Sequence, residues 1–454
     1  MESTDASFFS SPGSIVVALV TFVFLIHRAW PYLVQQKQSI ELDQSIAPTD
    51  KYSDLTVSKE PEIPEGWWTD RDIFELERRA LFSQKWIYLA HITQFSKPGA
   101  YQSFDIAGYP VFLIRGKDEK IRAFHNVCRH RAYTITRKET GASTVLGCRY
   151  HGWSYDTTGR LVKAPQFDEV PGFDKSQNSL FEVHTHTTDQ GLVFVNLNAG
   201  NPVAFDSSTA STLKDFARTG ALSGRSAWVT GQTLSGNFNW KMSIKACRLE
   251  SFTKHLERGM SEISGGSAIM KVVKNMTRKG SQKVTSVFPT TLLYSFSSMD
   301  FGLALSFFPA SEMKTHIRYD LFSRSVVGQT EVQKLSDVLQ KATEDLARET
   351  EKEYSTVSKE QGSVASQSRS LRQSSLICLF SSFPFEFNNP CAREILSRLQ
   401  QHTKLERSQG GQILPAMRKP EGSNLFQQAE KLCKELDCVS NGSHNGTSSS
   451  ALDW

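Results

Sequence analysis

The sequence predicts an α+β chain: an antiparallel β domain, then a mixed domain of sheet and helices, with a transmembrane helix in front of both. Three observations predict it. Between Trp86 and about residue 200, the short runs WIYLAHI, AYQSFDI, PVFLIRG and IRAFHNV alternate with turns bearing Gly, Pro or Asp, as consecutive antiparallel strands do. Further on, SVFPTTLLYSF, LALSFFPA and THIRYDLFS repeat that pattern, and EVQKLSDVLQKATEDLARETEKEY follows with helical spacing. In front, a charge-free run from Ile15 to Ile26 extends through His27 and Arg28 to Val34, with Trp30 and Tyr32 suited to a membrane interface.

The elements follow in order. At 454 residues the chain is long enough for two domains with peripheral segments. The predicted divisions are an anchor over 1–40, a linker and leading helix over 41–85, the β domain over 86–200, the mixed domain over 201–420, and a short helix with a disordered tail over 421–454. The anchor needs about twenty residues to span a bilayer, which the run reaches only by counting on to Val34. Arg28 and Lys37 follow it, so the positive-inside rule puts the body in the cytosol, at the endoplasmic reticulum, on a single pass. In TDRDIFELERRALFSQKW, Thr69 is a plausible N-cap and Ile73, Leu76, Ala80 and Leu81 share a face. Lys plus Arg exceeds Asp plus Glu by 52 − 47 = 5, too little and too scattered to predict nucleic acid as a partner. Seven Cys, an odd number spread over a long chain, argue for a reducing compartment rather than a disulfide framework.

The chemistry is written in two short motifs. Cys128-Arg-His130 and Cys148-Arg-Tyr-His151, with seventeen residues between His130 and Cys148, present one thiol and one imidazole each. Two thiolates and two imidazoles converging from two turns can hold a [2Fe–2S] cluster in which one iron takes two Cys and the other two His, the Rieske arrangement. Neutral imidazole in place of two thiolates lowers the negative charge on the cluster and raises its potential. Zinc also accepts a Cys2His2 set, but zinc fingers place both Cys before both His.

The segments AFHNVCRHRA and GCRYHGWSYDTTGRL resemble the Rieske domain of the Rieske non-heme iron oxygenases. The stretch from WWTDRDIFELERRALFSQKW through KPGAYQSFDIAGYPVFLIRGKD is similar to their choline-monooxygenase-like branch, particularly its fungal members. The resemblance implies an oxygenase α-subunit whose second domain is a helix-grip fold carrying a mononuclear iron. It further implies electrons from an NAD(P)H-dependent reductase or a ferredoxin, and trimers in which one chain's cluster reduces the next chain's iron. Arg149 stands where that family commonly has Pro.

In the second domain the match thins. Asn239, Trp240 and Lys241 fit the family's entry to its iron segment, and Glu250 falls near its acidic bridge between cluster and iron. His255 is the single His of the segment, Thr253 stands about where another is expected, and the next His along the chain is His316. Asp345, on the edge of a stripe of Val338, Leu339, Ala342 and Leu346, resembles the carboxylate ligand. His255 and Asp345 are therefore the candidate ligands for ferrous iron and Glu250 the candidate bridge, each weighed against an ordinary surface or packed role. Three readings follow: a membrane-anchored monooxygenase acting on a lipophilic molecule such as a sterol or secondary-metabolite intermediate, an electron-transfer protein whose iron site is lost, and a zinc-stapled module.

Overall fold

The computed structural model describes residues 64, 66–168, 170–200, 204–218, 222–244, 252–253, 282–296, 301–367 and 390–415. Helix α1 (Arg71–Glu77) starts where the Asp70 carboxylate accepts the N–H groups of Asp72 and Ile73, so the cap is Asp70 and not Thr69. The carboxylate one residue on is an ionised acceptor that reaches the first free donors. A π-turn, Arg78–Phe82, extends the helix and buries Ala80, Leu81 and Phe82.

The first domain is built on β1 (Ile87–His91), β2 (Ala100–Ile106), β3 (Tyr109–Arg115), β4 (Ile121–His125), β5 (Thr140–Ala142), β9 (Glu182–Thr187) and β10 (Leu192–Asn196). They form one seven-stranded sheet in the order β1-β10-β9-β4-β3-β2-β5, every pairing antiparallel. Three short strands, β6 (Val145–Gly147), β7 (Ser154–Asp156) and β8 (Leu161–Lys163), make a separate small sheet. An apolar cluster that includes Phe112, Phe124, Leu146, Trp153 and Tyr155 fills its core.

Helix α2 (Ser207–Ala217), capped by Asp206, leads to the second domain. There β11 (Ala227–Gly236), β12 (Gln282–Val287), β13 (Thr291–Phe296), β14 (Phe301–Ser311) and β15 (Lys314–Ser323) pair antiparallel in the order β11-β15-β14-β13-β12. Strand β14 is buried over most of its length, which explains its near-continuous apolar run. The 39-residue α3 (Gln329–Gln367) packs on β11 and β15, and α4 (Pro390–Gln409) packs on the π-turn.

Two buried polar nodes tie these parts together. Glu77 accepts from Lys241 Nζ at 2.5 Å and from Trp240 Nε1 at 2.7 Å, with Lys241 lying 4.4 Å from the Trp67 ring centre. Asn239 donates to the carbonyls of Trp68 and Glu312. The Asn-Trp-Lys run thus fastens the leading helix to the second domain. In the other node Arg318 grips Asp320 with two bonds of 2.9 and 3.0 Å, Trp228 Nε1 donates to the same carboxylate at 2.8 Å, and Tyr88 of β1 reaches it at 3.4 Å.

The membrane expectation is corrected. Among the described residues no helix is long and apolar enough to cross a membrane. The run Ile15–Val34 that suggested one lies outside the described residues. Its charge-free part is only twelve residues, and reaching twenty meant counting His27, Arg28 and Pro31. His402 is buried: it follows Ile395 and Leu399 on the packed stripe of α4 and pairs with Glu406 at 3.2 Å.

Candidate [2Fe–2S] site

Two loops bring the four donors together. The first leaves β4, and its path is held by Asn126, whose carbonyl oxygen accepts from Ile135 and Thr136 N–H while its amide donates to the Thr136 carbonyl. The second joins β6 to β7. Both loops close the same way: Cys128 N–H donates to Tyr133 O at 2.8 Å and Ala132 N–H to Cys128 O at 3.0 Å, while Cys148 N–H donates to Trp153 O at 2.7 Å and Gly152 N–H to Cys148 O at 3.0 Å. Each loop therefore turns through the left-handed region at its fifth position, with Ala132 at φ 52° and Gly152 at φ 73°. Gly suits that conformation and Ala does not.

The donors sort by kind, not by loop. The Cys128 and Cys148 thiols share a hydrogen bond, which pushes Cys148 down to about 6 and Cys128 upward. The rings of His130 and His151 lie 4.5 Å apart at 73°. One sulfur pair and one nitrogen pair, each drawn from both loops, is the donor set that a [2Fe–2S] cluster with one iron on each pair requires. A single zinc ion would need at least three donors round one point, and no such group of His, Cys, Asp or Glu occurs among the described residues.

The surroundings continue the logic. Tyr155 OH lies 3.3 Å from Cys128 Sγ and accepts from Arg129 N–H at 3.1 Å; its own pKa is raised by burial and by Cys128. Cys128, Cys148 and His130 are buried, whereas His151 is half-buried, its pKa lowered by burial and then by Arg131. Outside His151 the exposed Tyr150 ring sits 4.0 Å from it and Tyr133 5.3 Å from Tyr150, with Arg137 over Tyr133. Arg149 is exposed beside them. The buried half of the site thus opens through the His151 edge onto a cationic, aromatic mouth.

A family model for the Rieske [2Fe–2S] domain matches residues 85–174. Those residues form a Rieske domain. Over 136 residues the chain is 38% identical to the chlorobenzene dioxygenase α-subunit of Cupriavidus sp. strain PS12, covering 30% of each protein. It is 34% identical over 136 residues to the carnitine monooxygenase oxygenase subunit of Escherichia coli K12, covering 30% of this chain and 36% of that one. These matches span about a third of the length of the curated relatives. Beyond the Rieske domain the likeness is one of fold: the apo form of a quaternary ammonium Rieske monooxygenase superposes with a TM-score of 0.54 at 20% identity, covering 65% of this chain and 85% of that one. Naphthalene 1,2-dioxygenase gives 0.51 at 18%, covering 63% and 78%.

The second-domain candidates do not assemble into a site within the described residues. Glu250 and His255 lie outside them. Asp345 is on α3, its side chain 15% exposed and 3.0 Å from Arg348. His316 pairs with Ser235 across the β11–β15 ladder at 3.0 Å. Sequence reasoning missed Trp153, Tyr155 and Asn126, although all three stand inside or next to the two motifs. It also missed Arg318 and Asp320, whose i, i+2 spacing in the apolar strand RYDLF was the available signal.

Proposed function

We propose that this chain is the oxygenase component of a Rieske-type monooxygenase, with Cys128 and Cys148 on one iron of the cluster and His130 and His151 on the other. The sorting of the four donors into a thiol pair and an imidazole pair supports this most directly. The cluster supplies one-electron storage, and a ferrous ion on two nitrogen donors and a carboxylate supplies dioxygen activation. The chain's own residues keep the thiol side dry, orient Cys128 through Tyr155, and leave His151 at the surface where electrons from a reductase or ferredoxin enter. In the reaction one oxygen atom enters a small organic substrate and the other leaves as water, with two electrons drawn from NAD(P)H through the donor protein. The preference for a lipophilic substrate depended on the anchor and falls with it. His255 and Asp345 are the proposed iron ligands beside a third, unassigned one, with Glu250 the bridge and a trimer the proposed assembly.

A second reading has its own support. Asp345 is engaged by Arg348, and Thr253 stands where a His ligand is expected, so an electron-transfer protein without mononuclear iron is the rival. Nitric oxide separates the two. Cluster-loaded, dithionite-reduced protein given ferrous iron and then nitric oxide under argon should show a high-spin ferrous-nitrosyl signal of about one per chain. Absence of that signal in protein with a full cluster would establish the carrier.

A further inference from the structure

Trp153 touches both loops of candidate ligands, its ring against His130 and its carbonyl on Cys148 N–H. It is 1% exposed, and its indole N–H has no acceptor among the described residues. Buried indole N–H groups are ordinarily partnered. Its ring is stacked flat on His130, centres 4.9 Å apart at 9°, and the edges of Phe167 and Phe173 close the space around it at 5.4 and 5.6 Å. Its carbonyl accepts from Cys148 N–H at 2.7 Å, which fixes the backbone to the second loop. The indole is thus held against one candidate ligand with two apolar rings packed on it, and a group held by the two loops would offer the acceptor that its N–H lacks among the described residues.

Burial without a partner is not in itself informative, since Trp67 shares it. Trp67, however, lies under Lys241 in the node around Glu77, where no cofactor is indicated. The stack on His130 sets Trp153 apart. We propose that Trp153 Nε1–H donates a hydrogen bond to a sulfur of the [2Fe–2S] cluster and so raises its reduction potential. A reduced cluster carries one more negative charge than an oxidised one, so a donor aimed at its sulfur stabilises the reduced form more. Tyr155 serves the Cys128 sulfur, and Trp153 supplies a donor from the His130 side. Trp153 is a positioning and tuning residue in this account and touches no substrate. The inference rests on the cluster reading alone and holds whether or not the second domain binds iron.

The test begins with the wild-type protein. Reduced and grown with tryptophan labelled with 15N at Nε1, it should show a 15N coupling to the cluster in pulsed electron paramagnetic resonance; no coupling overturns the proposal. Trp153→Phe should then lower the midpoint potential, reducing the equilibrium constant for reduction about tenfold. The isostere β-(benzothiophen-3-yl)alanine at 153, which keeps the stacked bicycle and lacks the N–H, should do the same, while Trp67→Phe leaves the potential unchanged. An unchanged potential in isostere-bearing protein with two iron and two sulfide per chain contradicts the proposal, as does a drop with Phe that the isostere does not reproduce. Wild-type protein that takes up no cluster would instead refute the cluster reading, so the two failures are distinct.

Discussion

The two domains use buried polar groups for different ends. In the first, Cys128, His130, Cys148 and the hydroxyl of Tyr155 are buried beside one another, and together they offer donors to a cofactor. In the second, buried charged groups are spent on one another: Arg318 with Asp320, and Lys241 with Glu77 of the leading helix. The first pattern leaves chemistry available; the second joins elements distant in sequence. Burial of charge alone therefore does not mark an active site, because buried pairs also arise from the need to fix one packing arrangement. What distinguishes the cluster site is that thiol and imidazole recur in two loops of the same geometry.

The comparison can be broken most severely at the cluster. Cys148→Ser should abolish it, removing the visible absorption and leaving less than a tenth of the wild-type sulfide and at most about one iron per chain, because one cluster iron loses half of its protein ligands. Asp345→Ala, in the second domain, should leave cluster content at the wild-type level in the same assay. Next in size is Asp320→Ala, which strands the Arg318 charge in the interior and should cost about 3–5 kcal/mol in denaturant unfolding, with the cluster still loaded in the folded fraction.

A pH effect of similar order comes from His125, which burial pushes down to about 4. Its unfolded value is higher, near 6.5, so the unfolded chain binds the extra proton first and stability is lost as pH falls from about 6.5 through 4. The loss should approach about 3 kcal/mol. His125→Asn should flatten that part of the stability profile relative to wild type. The smallest effects lie in the two turns. Gly152→Ala places a Cβ at φ 73° and 3.3 Å from Pro165 Cγ, and should cost about 1–2 kcal/mol. Ala132→Gly relieves the same strain in the other loop and should gain up to about 1 kcal/mol. Opposite signs from two thermal melts would support the shared turn geometry.

The sequence displayed the first site because that site is local. Its donors fall within Cys128 to His151, on turns whose flanking strands announce themselves by alternation, and the match over residues 85–174 agrees with the Rieske assignment. In the second domain β13, β14, β15 and α3 were equally readable from periodicity. What joins the parts was not. Glu77 meets Lys241 across 164 residues and Tyr88 meets Asp320 across 232, and no pattern of neighbours in sequence encodes such pairings. His402 was legible on a smaller scale: its i, i+7 spacing from Ile395 places it on the buried stripe despite its polarity. The apolar N-terminal run was misread by extending twelve uncharged residues past a cation to bilayer length.

We propose that one domain holds a complete [2Fe–2S] site and the other an iron of its own. Iron and acid-labile sulfide, counted per chain in anaerobically purified protein supplied with ferrous iron, test it most directly. The account predicts about three iron to two sulfide, falling to about two to two in Asp345→Ala. Two to two in the fully loaded wild-type protein, with no further ferrous ion taken up, would contradict it and leave an electron carrier.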